Sequence, residues 1–130
     1  MEKLKLKYQD ARRALETLEA ILREPYSAIV RDASIQRFEY TFEAIWKFIK
    51  EYLQEKEGIV AASPKACFRE IFQLGVISEE QTVKLLEMTD HRNMTAHTYH
   101  EEVAQKIYGA LTVYRDLLGL LLAKFDGKFK

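Results

Sequence analysis

What most constrains this chain is an apolar residue at every third or fourth position, sustained almost from end to end. Leu4, Tyr8, Ala11, Leu15, Leu18 and Leu22 fall at alternating spacings of four and three, which on a 3.6-residue turn is one stripe. Ile35, Phe38, Phe42, Ile45, Ile49 and Tyr52 repeat the pattern, and Trp46 and Phe48 widen its apolar face. Strand-like alternation bounded by turn residues is absent. Two prolines and five glycines in 130 residues leave little to interrupt helices. The expected fold class is all-α.

Punctuation places the elements. Pro25 closes the first helix, since the residue before a proline is driven out of the α region. The second runs from about Ala28 to Leu53, with Gly58 in the connection that follows. A helix so long, apolar on more than one stripe, has to pack against several neighbours or a second subunit. Ser63-Pro64 gives an N-cap followed by proline at the first helical position. The short helix it opens carries Cys67, Phe68, Ile71 and Phe72, and Gly75 stops it. Ser78-Glu79-Glu80-Gln81 is a capping box for the next helix, with Val83 and Leu86 as its apolar positions. Thr98-Tyr99-His100-Glu101 has the same form and predicts a last helix from near Tyr99 to about Phe125, through Val103, Ile107, Ala110, Tyr114, Leu117 and Leu121. The expected architecture is an up-and-down four-helix-type bundle, one domain over residues 1–130. Its three long helices form three layers and the pair of short helices the fourth.

Composition narrows the function classes. Twenty basic residues balance twenty acidic ones. The chain therefore has no global field to attract nucleic acid, and such a contact needs a local patch. Cys67 is the single cysteine. It excludes an intramolecular disulfide framework, fits a reducing cytoplasm, and sits in the apolar run Ala66-Cys67-Phe68 as a small core residue. Met1 to Lys7 alternates charge with leucine and has no apolar signal core, and the run Leu117 to Ala123 is far too short to span a bilayer. Glycine-rich phosphate loops and the HExxH metal motif are absent, and no cofactor is expected.

One stretch stands apart. His91, His97 and His100 are all the histidines of the chain, and Asp90, Arg92, Asn93 and Glu101 lie among them. The cluster falls between two helix signals, at the kind of helix end where a rigid bundle builds sites. On an unbroken helix Arg92 and His97 would point about 140° apart, so they can serve one ligand only if the helix ends or bends between them. Such a pair suits phosphodiester cleavage without metal. Imidazole takes a proton from a ribose 2′-hydroxyl or gives one to the leaving oxygen, and guanidinium clamps the phosphate. One histidine cannot readily be base and acid together, so two copies across a dimer would help. Structural readings stand beside this one: Arg92 as an ion-pair partner of Asp90 or Glu87, His97 as a core or capping residue, or His97, His100 and Glu101 as metal ligands. Likewise Glu39, Glu43 and Lys47, at four-residue steps, form either a solvated ladder or a charged face turned toward Arg92.

Several stretches in order resemble one family. Ser34-Ile35-Gln36-Arg37-Phe38-Glu39-Tyr40-Thr41-Phe42-Glu43 with Trp46-Lys47, Ser63-Pro64-Lys65 with Arg69-Glu70, Phe72 to Ile77, and Arg92-Asn93 through His97-Thr98-Tyr99 look like the signature of the nucleotidyltransferase substrate-binding proteins. These are helical bundles of the HEPN superfamily, and the resemblance runs from about Leu4 to Phe125. It implies a homodimer and a partner, a minimal nucleotidyltransferase acting as antitoxin to this chain. It implies that Arg92 and His97, with Asn93 as polar neighbour, form the catalytic set of a metal-independent endoribonuclease acting on RNA. It also implies that Tyr99 accepts AMP from the partner, which silences the nuclease. The alternative carried by the same resemblance is a non-catalytic nucleotide- or substrate-binding subunit.

Overall fold

The computed structural model describes residues 2–128, and every regular element among them is helical. In chain order these are α1 (Glu2–Leu22), α2 (Ala28–Tyr52), α3 (Pro64–Gln73), α4 (Glu79–Asn93) and α5 (Glu101–Phe125). A π-helical turn, Leu53–Glu57, extends α2, and a 3-10 turn, Met94–His97, follows α4. Three long helices and a short pair make the expected bundle.

The helix ends follow their local chemistry. The Ser27 and Ser63 hydroxyls accept from the amides of Val30 and Ala66, and Pro64 occupies the first turn of α3. The capping box at Ser78 is complete: Gln81 N donates to Ser78 Oγ at 3.1 Å, and Ser78 N to Gln81 Oε1 at 2.8 Å. At the end of α3, Gly75 has φ of 77°. Its amide donates to Phe72 O and that of Val76 to Ile71 O, both at 2.9 Å. This paired closure needs the left-handed conformation that glycine adopts without strain.

α2 lies at the centre and packs against α1, α3, α4 and α5. Phe38, Phe42, Ile45 and Ile49 are all buried within the one chain, so the wide stripe does not need a second subunit to cover it. The rings interlock across elements: Phe48 and Tyr52 against Phe125, Phe42 edge-on to Phe68, and Phe38 stacked on Tyr114. Cys67 is buried, its thiol pushed up to about 11 by burial, as an inert core residue requires. Polar ties seal the α1–α2 seam, where Thr41 Oγ1 donates to Ala14 O at 3.0 Å and Arg37 Nη1 to Thr17 O at 2.8 Å.

Two sequence expectations need correction. The buried face of α4 carries Thr82, Leu85, Met88 and Thr89, whereas Val83 is exposed and Leu86 half-buried. The threonines can pack inward because each hydroxyl bonds back one turn, Thr82 to Ser78 O and Thr89 to Leu85 O, both at 2.8 Å. The last helix begins at Glu101 rather than near Tyr99. The Thr98 capping box does not form: the Thr98 hydroxyl bonds Thr95 O at 3.3 Å, and the Glu101 carboxylate is taken by Arg31, whose Nη1 lies 2.8 Å from Oε1.

Because the stripe on α2 is the centre of the core, Phe38→Ala is expected to cost about 3–5 kcal/mol of unfolding free energy. Val83→Ala, on the exposed face of α4, is expected to cost less than about 1 kcal/mol. Urea denaturation of both variants checks the assignment, and equal losses would contradict it.

Candidate active site

The helix does break between Arg92 and His97. Arg92 sits in the last turn of α4, where the negative end of the helix dipole favours a cation. After Asn93 the chain tightens into the 3-10 turn, and residues 98–100 lead into α5. Thr95 is the buried residue of this turn. Its hydroxyl lies 2.7 Å from Arg92 O and 2.8 Å from Glu39 Oε2. Arg92 Nη2 pairs with Glu43 Oε1 at 2.8 Å. Two carboxylates one turn apart on α2 therefore grip the break from one side. The charged face of α2 is turned toward Arg92, the less bland of the two readings of Glu39, Glu43 and Lys47.

Glu43 is shared. Besides Arg92 it accepts from Trp46 Nε1 at 3.2 Å and lies 3.6 Å from Lys47 Nζ. Arg92 is thus an ion-pair partner, but of Glu43 rather than of Asp90, which pairs with Lys65 at 2.7 Å. The Arg92 Nε is buried and has no hydrogen-bond partner. An unpaired donor of this kind is costly unless a ligand or solvent completes it.

His97 is exposed at the end of the 3-10 turn, so it is neither core nor cap. Its Nδ1 lies 3.5 Å from the hydroxyl of Tyr99, and the two rings meet edge to face at 6.1 Å. Tyr99 is 77% exposed, the most exposed of the seven tyrosines, and its ring rests 4.4 Å from that of His100. Asn93 is exposed beside Arg92. The structure brings His97 to Tyr99 and Arg92 to Glu43. No hydrogen bond or ion pair among the described residues joins Arg92 to His97.

The remaining histidines of the cluster point elsewhere. His91 Nδ1 is 2.6 Å from the Tyr114 hydroxyl in the half-buried seam between α4 and α5. Burial holds His91 below its ordinary value, with Lys106 pushing the same way, and burial raises Tyr114 to about 12. His100 is the N-cap of α5 but makes no capping bond through its side chain. Arg31 had no signal in the sequence. It is buried at the start of α2, pairs with Asp32 and Glu101, and so ties the start of α5 to α2. Among the described residues no group of three or more His, Cys, Asp and Glu side chains is placed to hold a metal ion, and no helix is long and apolar enough to cross a membrane.

Comparison with known proteins adds an independent line. The profile of the family described as nucleotidyltransferase substrate binding protein like matches residues 6–126. A Haemophilus influenzae protein named probable ribonuclease HepT is 33% identical over 92 residues, a match spanning 65% of this chain and 62% of that relative's length. A crystal structure from Thermus thermophilus superposes with a TM-score of 0.83 at 43% identity, covering 88% of this chain and 97% of the other. A Haemophilus influenzae structure, described as the fold of a substrate binding domain of a nucleotidyltransferase, has a TM-score of 0.68 at 23% identity. It covers 96% of this chain and 98% of its own, and the likeness is one of fold.

The His91–Tyr114 contact has a pH signature. A histidine held below its unfolded value contributes fully above about pH 6.5, and its contribution is lost as the pH falls through that value toward the folded one. Melting temperature is expected to drop between about pH 7.5 and 5.5, and to drop less in His91→Asn. An identical drop in the two proteins would contradict the assignment.

Proposed function

The chain belongs to the nucleotidyltransferase substrate binding protein family, and from that premise we propose that it is a HEPN-type toxin, a metal-independent endoribonuclease. In this reading it is cytoplasmic, acts as a homodimer and is silenced when a cognate minimal nucleotidyltransferase transfers AMP to Tyr99. The observation that carries the proposal is the helix break after Arg92-Asn93, which leaves His97 and Tyr99 exposed and 3.5 Å apart at its far end.

The chemistry assigns each group a task. His97 takes the proton of a ribose 2′-hydroxyl, the 2′-oxygen bonds to phosphorus, and the bond from phosphorus to the 5′-oxygen breaks. The second subunit's copy of His97 supplies a proton to that leaving oxygen, which answers the difficulty of one imidazole doing both. Arg92 neutralises the charge that grows on the non-bridging oxygens, and Asn93 donates beside it. A phosphate that reaches Arg92 competes with Glu43 for the guanidinium and offers a partner to the unpaired Nε. AMP on Tyr99 adds bulk and negative charge next to His97, where the RNA phosphate has to lie. The tyrosine's high exposure suits it as an acceptor.

A second reading is favoured by the engagement of Arg92 with Glu43 and Thr95 with Glu39. In that reading the site is a rigid support, and the chain is a non-catalytic nucleotide- or substrate-binding subunit of a two-component nucleotidyltransferase.

The two readings separate in one set of assays. As a nuclease, the protein cleaves RNA in EDTA, and Arg92→Ala and His97→Ala each abolish cleavage while remaining folded, since neither residue is in the core. No cleavage by the wild type, together with nucleotide-dependent binding to the nucleotidyltransferase, would establish the second reading. Cleavage unchanged in His97→Ala would remove the active-site assignment. Incubation with the partner and ATP is expected to place one AMP on Tyr99, mapped by mass spectrometry. Tyr99→Phe is expected to stay active and escape silencing, whereas an adduct on another tyrosine would reject that assignment.

A further inference from the structure

The charged face of α2 does not stop at the candidate active site. Glu39, Glu43, Lys47, Lys50 and Gln54 follow one another at steps of four, four, three and four, so one face of the helix leads from Arg92 toward the far end of the bundle. From Glu43 to Lys50 that face extends about 10 Å at the rise of an α-helix, and Gln54 follows in the π-helical turn. Along it α1 and α2 enclose a groove of about 340 Å³, lined by Lys3 and Lys7 of α1 and by Trp46, Lys47 and Lys50 of α2.

The groove is a local excess of positive charge in a chain with no net charge. Four lysines line it beside one acid, Glu51, which Lys3 pairs at 3.4 Å, and a second acid at its edge, Glu43, lies 3.6 Å from Lys47. Helix energetics do not account for the whole set. Lys50 is at the C-terminal end of α2, where a cation is favoured. Lys3 is in the first turn of α1, where the dipole disfavours one. An aromatic surface completes the lining: the Lys50 ammonium lies 5.9 Å from the centroid of the Trp46 ring, whose indole N–H is held by Glu43. Glu43 also joins Lys47 to Arg92, so groove and candidate active site share a carboxylate.

We propose that this groove binds the backbone of single-stranded RNA next to the cleaved phosphate, its lysines meeting phosphates and Trp46 stacking on a base. Lysines along a track with an aromatic platform are the general means of holding a single strand without reading its sequence. An acidic peptide would meet the charges but has no use for the indole. The proposal rests on RNA being the substrate.

Trp46 is the only tryptophan, so its fluorescence reports the groove directly. The test uses the full chain carrying His97→Ala, so that RNA stays intact, and a short mixed-sequence oligoribonucleotide with a fluorescent end label. RNA is expected to quench Trp46. Anisotropy titrations at several salt concentrations give the dependence of log affinity on log salt. Adding Lys7→Ala and Lys50→Ala together is expected to flatten that slope by about 1.4, two phosphate contacts at about 0.7 each. Lys84→Ala, on α4 outside the groove, is expected to leave it unchanged. Absent quenching, an unchanged slope in the double variant, or equal quenching by poly-aspartate would overturn the proposal. Quenching and a flattened slope in a protein whose wild type cleaves no RNA would uphold the groove while rejecting the nuclease. Cleavage that depends on His97, with a slope indifferent to Lys7 and Lys50, would do the reverse.

Discussion

The rotation of α2 about its own axis decides where every group at the candidate site can point. Phe38, Phe42, Ile45 and Ile49 must face the core, and truncating one such phenylalanine costs about 3–5 kcal/mol. A partly exposed ion pair such as Arg92–Glu43 contributes about 0–1 kcal/mol. The aromatic stripe therefore sets the rotation and the charged face follows. With the stripe inward, Glu39 and Glu43 emerge beside the end of α4 and take hold of Thr95 and Arg92. Lys47 and Lys50 emerge further along the same face.

This ordering explains which features are legible in the sequence. The helices, the caps at Ser63 and Ser78, the stop at Gly75 and the buried stripe of α2 depend on residues within one turn of each other, and local spacing reports them. The Thr98 capping box fails because its outcome is not local: Arg31, seventy positions away, takes the Glu101 carboxylate that the box requires. The inward face of α4 escapes the apolar pattern because two of its members are threonines, which count as polar until their hydroxyls bond back to the preceding turn.

The site is legible to a similar depth. For Arg92 and His97 to serve one ligand the helix has to end or bend between them, and it does, although a 3-10 turn makes the break rather than a cap. The exposure of Tyr99 follows from its polar setting. For Arg92 the sequence leaves two kinds of partner, a neighbouring acid on α4 or the charged face of α2, and only the packing of α4 against α2 selects Glu43. His91, by sequence an equal member of the histidine cluster, is drawn into the α4–α5 seam by Tyr114, twenty-three positions away.

We propose that His97 and Arg92 cleave RNA by activating the ribose 2′-hydroxyl, and the end groups of the cleaved RNA report that step. Attack by the 2′-oxygen with loss of the 5′-oxygen leaves a 2′,3′-cyclic phosphate on one fragment and a 5′-hydroxyl on the other. Those end groups are expected in the presence of EDTA, with no cut at a nucleotide carrying a 2′-deoxy substitution. Fragments bearing 5′-phosphates, a cut that survives the substitution, or RNA left intact would contradict it.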